Sequence, residues 1–368
     1  MNNCLVTKLK ALVDNPNLKT MEEALIKVRK TTNPEDYQLG INITSSGGYQ
    51  MTCDGNGYFT VNSPDAEHEV THDFLSGLSV VYFANEDFNV KISSKYNITK
   101  ISYKGSGSAE RIPSIDLSDF EYNTKMIELD LRRGYANKGN LSGLSKMSAL
   151  TTLALIYGKY TGNIDSLPNN ITYLELNNID TINGGENYIP SNNATRLVCS
   201  CANASLNLAN LVNCNQLQEL TLNDSNSYGN ISNLNALSSL ITANVTNTQV
   251  TGRLSELNSL SIQTLRLIGA KLTPSSIEDF VATLISAGRN IKTNPIKIWG
   301  LFEHCTFGGN TYPYNYDGAY LDYDSATKIT VYLTASTIAN AYRIYAKNAT
   351  PEEIAAWENA GKTVVVVE

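Results

Sequence analysis

Apolar residues recur through the middle of the chain at a spacing that predicts a series of short strands. Seven segments fit the pattern L-x-x-L-x-L with conservative replacements, namely MIELDL, LTTLAL, ITYLEL, ATRLVC, LQELTL, LITANV and IQTLRL. Within each segment inward apolar positions alternate with outward positions, as in a strand that buries one face. The central inward positions lie 21 to 24 residues apart and are Leu129, Leu153, Leu174, Leu197, Leu220, Ala243 and Leu265.

A second apolar anchor follows several of these strands at a constant offset. About nine residues after the central position come the segments GNLSGL, GNIDSL, LNLANL, GNISNL and GRLSEL. Each unit therefore contains one strand and one return segment, and both direct apolar side chains inward. Neither can bury its apolar face alone, so neighbouring units must stack and share one interior. The pattern predicts a solenoid.

The region before the repeats has different patterns. Residues 4 to 31 contain two short amphipathic helical patterns, and residues 38 to 105 contain short alternating runs separated by turn residues, which predict a small β-rich unit. The helical segment is too small to fold alone, and we expect it to dock on another protein surface through its apolar positions. These docking positions are Leu5, Leu9, Leu12, Leu25 and Val28.

Beyond residue 273 the spacing lengthens. The sequence predicts a helix from Thr273 through SSIEDFVATLISAG, strands at 296–300 and 329–333, helices at STIANAYRIYA and PEEIAAWENAG, and a last strand at 363–367. This alternation of strands and helices predicts a thicker section that caps the solenoid. The predicted domains are 1–36 (docking segment), 37–105 (β-rich), 106–272 (solenoid) and 273–368 (cap).

The repeats resemble the leucine-rich repeat family over residues 100 to 273. Ile98-x-x-Ile101-x-Tyr103 is a candidate degenerate first unit. The resemblance implies an α/β solenoid with a parallel β-sheet. The family's usual Asn, three residues after the last strand Leu, is replaced here by Gly134, Gly158, Ile179, Ser225 and Ala270. A continuous Asn ladder inside the turn is therefore not expected.

Composition excludes several classes of partner. The net charge is -7 and the basic residues are scattered, so nucleic acid is not an expected partner. No apolar run approaches the ~20 residues that cross a bilayer. Lys8 and Lys10 interrupt the N-terminal apolar stretch, so we expect no secretory signal. The six cysteines form no CxxC pair and are interpreted as reduced core thiols.

One short motif raises the question of an enzyme. The sequence HEVTH contains His68, Glu69 and His72 at the spacing by which a helix gives two zinc ligands and a general base, with Glu86 as a candidate third ligand. Val70 and Thr71 are β-branched and the segment alternates as a strand does, so we favour two histidines on a strand or short helix. The zinc site stays as the alternative.

Other chemistry is weakly indicated. The chain has no G-x-S-x-G elbow and no phosphate-binding glycine loop followed by a helix. Asp322 and Asp324, near Asp317, lack a full series of calcium ligands. We therefore expect no cofactor and no enzymatic activity.

Outward strand residues form the candidate binding surface. A rigid sheet with mixed polar and aromatic side chains suits a protein or glycan ligand, although a solvated sheet without a partner is the alternative. A tyrosine-rich segment, TYPYNYDGAYLDYD, offers further rings for stacking on a ligand or for packing over the cap. The candidate binding residues are Tyr173, Glu175, Arg196, Glu219, Arg266, Trp299, Tyr312, Tyr314, Tyr316 and Tyr332.

The first residues indicate a biological context. MNNCLVTKLKALVDNPNL resembles the opening of many virion-associated proteins of phages of gut Bacteroidetes. The resemblance implies a segment that fixes the protein to other virion proteins, with homo-oligomers as a further expectation, and a solenoid displayed towards a host glycan or protein. The expected function is thus a non-enzymatic phage virion accessory protein, a fibre-like or capsid decoration component made in the host cytoplasm. A secreted bacterial leucine-rich repeat adhesin is the alternative, and a zinc metallopeptidase ranks third.

Overall fold

A computed structural model describes residues 116–120, 124, 126–132, 137–313, 318–334 and 337–368, and the backbone of eight strands between 38 and 114. The predicted docking segment, including its five apolar positions, lies outside the described residues. Contacts between Cα atoms divide the chain into two compact units, Met1–Asn170 and Ile171–Glu368. Across the described residues, no helix is both long enough and apolar enough to cross a membrane.

The first unit begins with eight strands in two sheets. The strands are β1 (Gln38–Ile43), β2 (Gly47–Asp54), β3 (Tyr58–Asn62), β4 (Val70–Asp73), β5 (Leu78–Ala84), β6 (Phe88–Ser93), β7 (Lys100–Gly105) and β8 (Pro113–Ser114). One sheet has the order β4-β3-β6-β1-β8. The strands β5, β2 and β7 pair antiparallel and lead into the repeats of this unit. The prediction of β-structure between 38 and 105 is confirmed.

The repeats of the first unit stack in parallel. Their strands are β9 (Glu128–Arg132), β10 (Lys138–Asn140), β11 (Thr152–Ile156) and β12 (Lys159–Asn163), with 3-10 helices at Leu117–Phe120, Leu141–Leu144 and Ile164–Ser166. Leu129 of β9 is paired with Ile101 of β7 on one side and with Leu153 of β11 on the other. The strand at 100–105 is therefore the first parallel partner of the repeats, as its degenerate pattern predicts.

The second unit contains six repeats of the same kind. Its repeat strands are β13 (Tyr173–Asn177), β14 (Ile182–Gly184), β15 (Arg196–Ser200), β16 (Asn203–Ala204), β17 (Glu219–Thr221), β18 (Tyr228–Asn230), β19 (Thr242–Asn244), β20 (Gln249–Thr251), β21 (Thr264–Arg266), β22 (Ser275–Ser276), β23 (Lys297–Trp299) and β24 (Cys305–Thr306). The 3-10 helices Leu208–Leu211, Ile231–Ala236 and Leu254–Glu256 form returns, followed by helices α1 (Ile277–Ser286) and α2 (Leu301–His304). The long strands β13, β15, β17, β19, β21 and β23 pair in parallel in that order.

The register places equivalent apolar residues side by side in the interior. Leu174, Leu197, Leu220, Ala243, Leu265 and Ile298 are successive partners on adjacent strands. Each is at most 2% exposed. Burying one leucine side chain stabilises a fold by about 1.5–3 kcal/mol relative to leaving it exposed. This row of partners gives the repeat its strict spacing, because a shift by one residue would turn the apolar face outward.

The recurring Gly-Asn pair of the return segment has a structural cause. Asn140, Asn163, Asn207 and Asn230 each cap a 3-10 helix by accepting a hydrogen bond from the N–H two residues on. For three of these caps the glycine of the next repeat lies against the capping side chain: Gly162 on Asn140, Gly229 on Asn207 and Gly252 on Asn230. At Gly252, which has φ +96°, an added Cβ would lie 2.5 Å from Oδ1 of Asn230. A left-handed backbone and a close neighbour together require glycine there.

Hydroxyl groups occupy the turn that follows each of two strands, where the family's Asn is missing. Ser225 Oγ donates to the carbonyl of Leu222 at 2.6 Å, and Thr248 Oγ1 donates to the carbonyl of Val245 at 2.7 Å. Both residues are buried. Buried backbone carbonyls need such partners. In these two repeats the turn carbonyl is thus bonded by a hydroxyl of its own repeat.

The C-terminal cap differs from its prediction. Strands β25 (Ala319–Ser325), β26 (Lys328–Leu333) and β27 (Arg343–Lys347) pair antiparallel, and β28 (Thr363–Val367) follows helix α3 (Pro351–Asn359) and pairs parallel with β27. The predicted helix at STIANAYRIYA is wrong: this segment contains a 3-10 helix at Ile338–Asn340 and then β27. Pairing with β26 overrides the helical pattern, and it buries Ile344 and Ala346. The helices at 277–286 and 351–359 and the strands at 297–299, 328–333 and 363–367 are confirmed.

A buried arginine joins the last regular repeat to the cap. The guanidinium of Arg289 donates to the carbonyls of Ser259 at 2.9 Å and of Ile262 at 2.6 Å, and also to those of Asn294 and Pro295. The hydroxyl of Tyr323 on β25 donates to the carbonyl of Arg289 at 3.0 Å. Burial lowers the pKa of Arg289. One cation thus satisfies four carbonyls from segments that have no regular secondary structure.

Candidate ligand-binding face

The long sheet of the second unit has one face towards the interior and one face away from it, which we call the open face. Register aligns its outward residues in two files across the strands. The first file is Tyr173, Arg196, Glu219, Thr242, Thr264, Lys297 and Tyr320. The second file is Glu175, Val198, Thr221, Asn244, Arg266 and Trp299.

At the β13–β17 end of the open face, an arginine is neutralised by two carboxylates. Arg196 forms ion pairs with Glu219 and, at 3.7 Å, with Glu175. Its guanidinium also lies 5.4 Å from the centre of the Tyr173 ring, and the Tyr173 hydroxyl donates to Glu175 at 2.9 Å. These four side chains hold one another in place and carry a net charge of one negative unit.

At the β21–β23 end, two cations lie over one indole ring. The guanidinium of Arg266 is 4.3 Å and the ammonium of Lys297 is 4.7 Å from the centre of the Trp299 ring. The ammonium of Lys297 is also 5.2 Å from the centre of the Tyr320 ring. Arg266 is exposed, whereas Lys297 is 9% exposed. Attraction between a cation and an aromatic face fixes the position of long side chains that are otherwise mobile.

The two ends of the open face therefore differ in charge. Glu175 and Glu219 lie at one end and Arg266 and Lys297 at the other, with the uncharged Thr242, Asn244 and Thr264 between them. Neighbouring strands are ~4.8 Å apart, so about 10 Å separates β17 from β21 and about 19 Å separates β13 from β21. The face can offer opposite charges to the two ends of one ligand.

Six of the predicted binding residues lie on the open face, and five of them are at least partly exposed. Tyr173, Arg196, Glu219, Arg266 and Trp299 have side chains at least partly exposed. Glu175 also belongs to this face but is only 7% exposed, because Arg196 and Tyr173 cover it. Its carboxylate is therefore placed to orient Arg196.

The predicted tyrosines of the cap have other positions. Tyr332 stacks edge-on against Trp357 of α3, with ring centres 6.4 Å apart, and burial together with nearby Asp322 raises its pKa to about 12. Tyr312 packs against Phe302 and Tyr345 at 5.4 and 4.9 Å, so it serves cap packing. Tyr314 and Tyr316 lie outside the described residues.

We call Arg266, Lys297, Trp299 and Tyr320 the cationic cluster. Two of its residues, Lys297 and Tyr320, lie outside the predicted candidate set. Lys297 alternates with the inward residues Ile296 and Ile298, and this alternation is the sequence signal for its outward position. Tyr320 is in the tyrosine-rich segment that the sequence places between strands. In the structure it belongs to β25, where it is paired with Lys297.

The HEVTH segment is a strand over its second half. Val70–Asp73 forms β4, which pairs antiparallel with β3 so that His72 is opposite Phe59. His68 and Glu69 lie outside the described residues. A zinc site of this type needs His68 and His72 one helical turn apart, and a strand that contains His72 does not provide that geometry. The interpretation of this segment as a strand is confirmed for residues 70–73.

Other candidate metal or reactive groups have structural partners. Within the described ranges, no group of three or more His, Cys, Asp or Glu side chains is placed to hold a metal ion. Asp324, one of the candidate calcium ligands, pairs with Lys292 at 2.8 Å, which lowers its pKa. Four cysteines are free and buried, at 199, 201, 214 and 305. Burial raises the pKa of Cys214 to about 11 and of Cys305 to about 12, so these thiols stay protonated.

Comparisons with known proteins give matches among solved structures, whereas no protein-family model and no curated protein matches the chain. It is similar to the leucine-rich repeat ectodomain of the receptor kinase GASSHO1/SCHENGEN3 from Arabidopsis thaliana (24% identity, 45% of this chain and 21% of that chain, TM-score 0.36). It is also similar to the HAESA ectodomain from Arabidopsis (20%, 46% and 31%, 0.36) and to internalin C2 from Listeria monocytogenes (16%, 50% and 76%, 0.31).

The chain thus spans less than a third of the length of the two receptor ectodomains. Its own geometry defines the fold: the central positions of the parallel strands recur every 21 to 24 residues from 129 to 265, and each is paired with the equivalent apolar residue, Leu or Ala, of a neighbour inside its unit. Return segments with capped 3-10 helices close each of several repeats. This architecture is a leucine-rich repeat solenoid.

Proposed function

We propose that this chain is a non-enzymatic binding protein whose open face recognises a protein or glycan. The observation that carries the proposal is the pair of ordered charged and aromatic clusters on that face. The interior leucines already stabilise the repeats, so the stack of Arg266 on Trp299 is not needed for the core. Side chains held in one arrangement on a rigid sheet lose little entropy when a ligand binds.

Blocking the middle of the open face tests this function. Thr242 is half-exposed between the two clusters, and Thr242→Trp places a large ring there without removing an interior contact. We expect ligands selected from a glycan array and a displayed random-peptide library to lose at least about 10-fold in affinity. The measurement is binding of each selected ligand to the wild type and the variant.

Ser238→Trp is the matched control, because Ser238 is exposed outside the sheet. It should bind the selected ligands as the wild type does. The proposal fails if the wild type selects no ligand from either source, or if Thr242→Trp and Ser238→Trp bind every selected ligand equally well.

We further propose that the binding face is carried by a phage virion as an accessory protein, with the N-terminal segment as its attachment to other virion proteins. The proposal is supported by the resemblance of the first residues to the N-terminal segments of virion-associated phage proteins. A solenoid that binds through one face is compatible with display on a particle.

Deletion of residues 1 to 31 tests the attachment. Particles produced with the truncated gene should lack the protein in an immunoblot of purified virions, while particles with full-length Arg266→Gln should contain it. Incorporation of the truncated protein would reject the attachment role. Recovery of the full-length protein from the bacterial surface, with none in particles, would favour the secreted adhesin instead.

A further inference from the structure

The guanidinium of Arg266 differs from that of Arg196, the other arginine of the open face, in its ion pairing. Among the ion pairs of the described residues, Arg196 has two carboxylate partners and Arg266 has none. Arg266 is nevertheless held in position by Trp299, and the ammonium of Lys297 shares the same ring. A fixed and exposed guanidinium beside a second cation is an arrangement that binds anions.

We propose that Arg266, Lys297 and Trp299 form a subsite for a carboxylate of an acidic peptide segment. This inference rests on the proposed function of the open face and specifies its ligand. A guanidinium that stacks on an aromatic ring keeps its in-plane N–H groups available, and these match the two oxygens of a carboxylate. The ammonium of Lys297, 4.7 Å from the centre of the same ring, adds a second positive charge beside the guanidinium.

The opposite end of the open face limits the ligand further. Glu175, Arg196 and Glu219 carry one net negative charge, so a uniformly polyanionic chain would be repelled there. A ligand with acidic groups at the β21–β23 end and neutral or basic groups at the β13–β17 end is complementary. An extended peptide advances about 3.3 Å per residue, so these groups are separated by roughly three to six residues.

A peptide fits this face better than an acidic glycan. Sugars bind aromatic residues by stacking on the ring, but two cations already lie within 5 Å of the Trp299 ring centre. The uncharged strip of Thr242, Asn244 and Thr264 offers hydroxyl and amide groups that suit a peptide backbone. An acidic polysaccharide also repeats its charge along its whole length, which conflicts with the acidic end of the face.

The test is a selection from a displayed random-peptide library on three proteins: the wild type, Arg266→Gln and Lys271→Gln. Lys271 is exposed outside the open face, so its variant removes the same charge from a different place. Peptides that bind the wild type but not Thr242→Trp are taken as ligands of the open face. We expect these peptides to be enriched in Asp and Glu when selected on the wild type or Lys271→Gln, and not when selected on Arg266→Gln.

Affinities of the selected acidic peptides give the second readout. Loss of a bidentate contact is expected to weaken binding to Arg266→Gln by about 10-fold. Lys271→Gln should stay within about two-fold of the wild type, because its charge lies away from the ligand. Raising the salt concentration should reduce the difference between the wild type and Arg266→Gln, because salt screens an exposed charge pair.

Three outcomes would overturn the inference. Equal weakening by Arg266→Gln and Lys271→Gln would show an effect of net charge alone. Open-face peptides without acidic enrichment would reject the carboxylate subsite and leave the proposed function intact. Tighter binding of oligogalacturonate than of any selected peptide, if it depended on Arg266, would assign the subsite to an acidic glycan.

Discussion

Arg289→Met should lower the free energy of unfolding by about 2–4 kcal/mol, because two buried backbone carbonyls lose a charged hydrogen-bond donor. The guanidinium donates to four backbone carbonyls, and its replacement would leave the buried carbonyls of Ser259 and Ile262 without those donors, while the carbonyls of Asn294 and Pro295 are near enough to the surface to reach water. A buried acceptor without a partner costs about 1–3 kcal/mol, and partial rearrangement offsets some of the sum. Chemical denaturation followed by circular dichroism measures the change.

Arg253→Met is the matched control for this prediction. Arg253 is exposed and its backbone N–H, not its side chain, contacts Glu256. Its replacement should change the free energy of unfolding by no more than about 0.5 kcal/mol. If both substitutions destabilise the chain equally, the hydrogen bonds of Arg289 do not join the cap to the repeats.

Gly252→Ala should lower the free energy of unfolding by about 2–4 kcal/mol. A residue with a Cβ is strained by about 1–2 kcal/mol at a left-handed φ, and the new methyl group would press on the Asn230 side chain. Gly288→Ala separates the two causes, because Gly288 has φ +87° but no atom within 4 Å of the added Cβ. It should cost only the strain, about 1–2 kcal/mol.

Asn230→Ala provides the corresponding double-mutant cycle. Alone, it should cost about 1 kcal/mol through loss of the cap of the 3-10 helix. Combined with Gly252→Ala, it removes the side chain that meets the new methyl group, so the double variant should be more stable than the sum of the single effects predicts. Additive losses would mean that glycine is needed at 252 only for its backbone conformation.

The repeats could be predicted from the sequence because one physical requirement fixes them. Each strand needs an apolar residue on one face in register with its neighbours, and the positions of Leu174, Leu197 and Leu220 express this directly as a constant interval. The Gly-Asn pair repeats for a similar reason. Only the structure shows, however, that the Asn caps a 3-10 helix and that the glycine of the next repeat lies on the capping side chain.

The C-terminal section of the chain, which caps the solenoid, could not be predicted equally well. STIANAYRIYA has the spacing of an amphipathic helix, but β26 offers it a pairing edge, and this contact decides the outcome. Arg289 belongs to no periodic pattern, and its four acceptors come from two separate segments, 259–262 and 294–295. Neither feature has a signal that extends over neighbouring residues.

The cationic cluster could be predicted from the sequence only in part. Arg266 and Trp299 are directly opposite each other on β21 and β23. Their separation in sequence is longer than one repeat because helix α1 is inserted between the two strands. A constant period therefore does not reveal that the two residues are neighbours, whereas the outward position of each can be deduced from its own strand.

The contact that several return-segment glycines make with the asparagine cap of the preceding repeat has an evolutionary consequence. Gly229 lies on the cap formed by Asn207, and Gly252 on that formed by Asn230. If one complete repeat is duplicated or lost, the glycine of the following repeat again meets a capping asparagine, so the contact between neighbouring repeats is preserved. Unequal crossing-over can thus lengthen or shorten the array in whole units, and a descendant can acquire a new assortment of surface residues without having to rebuild its interior.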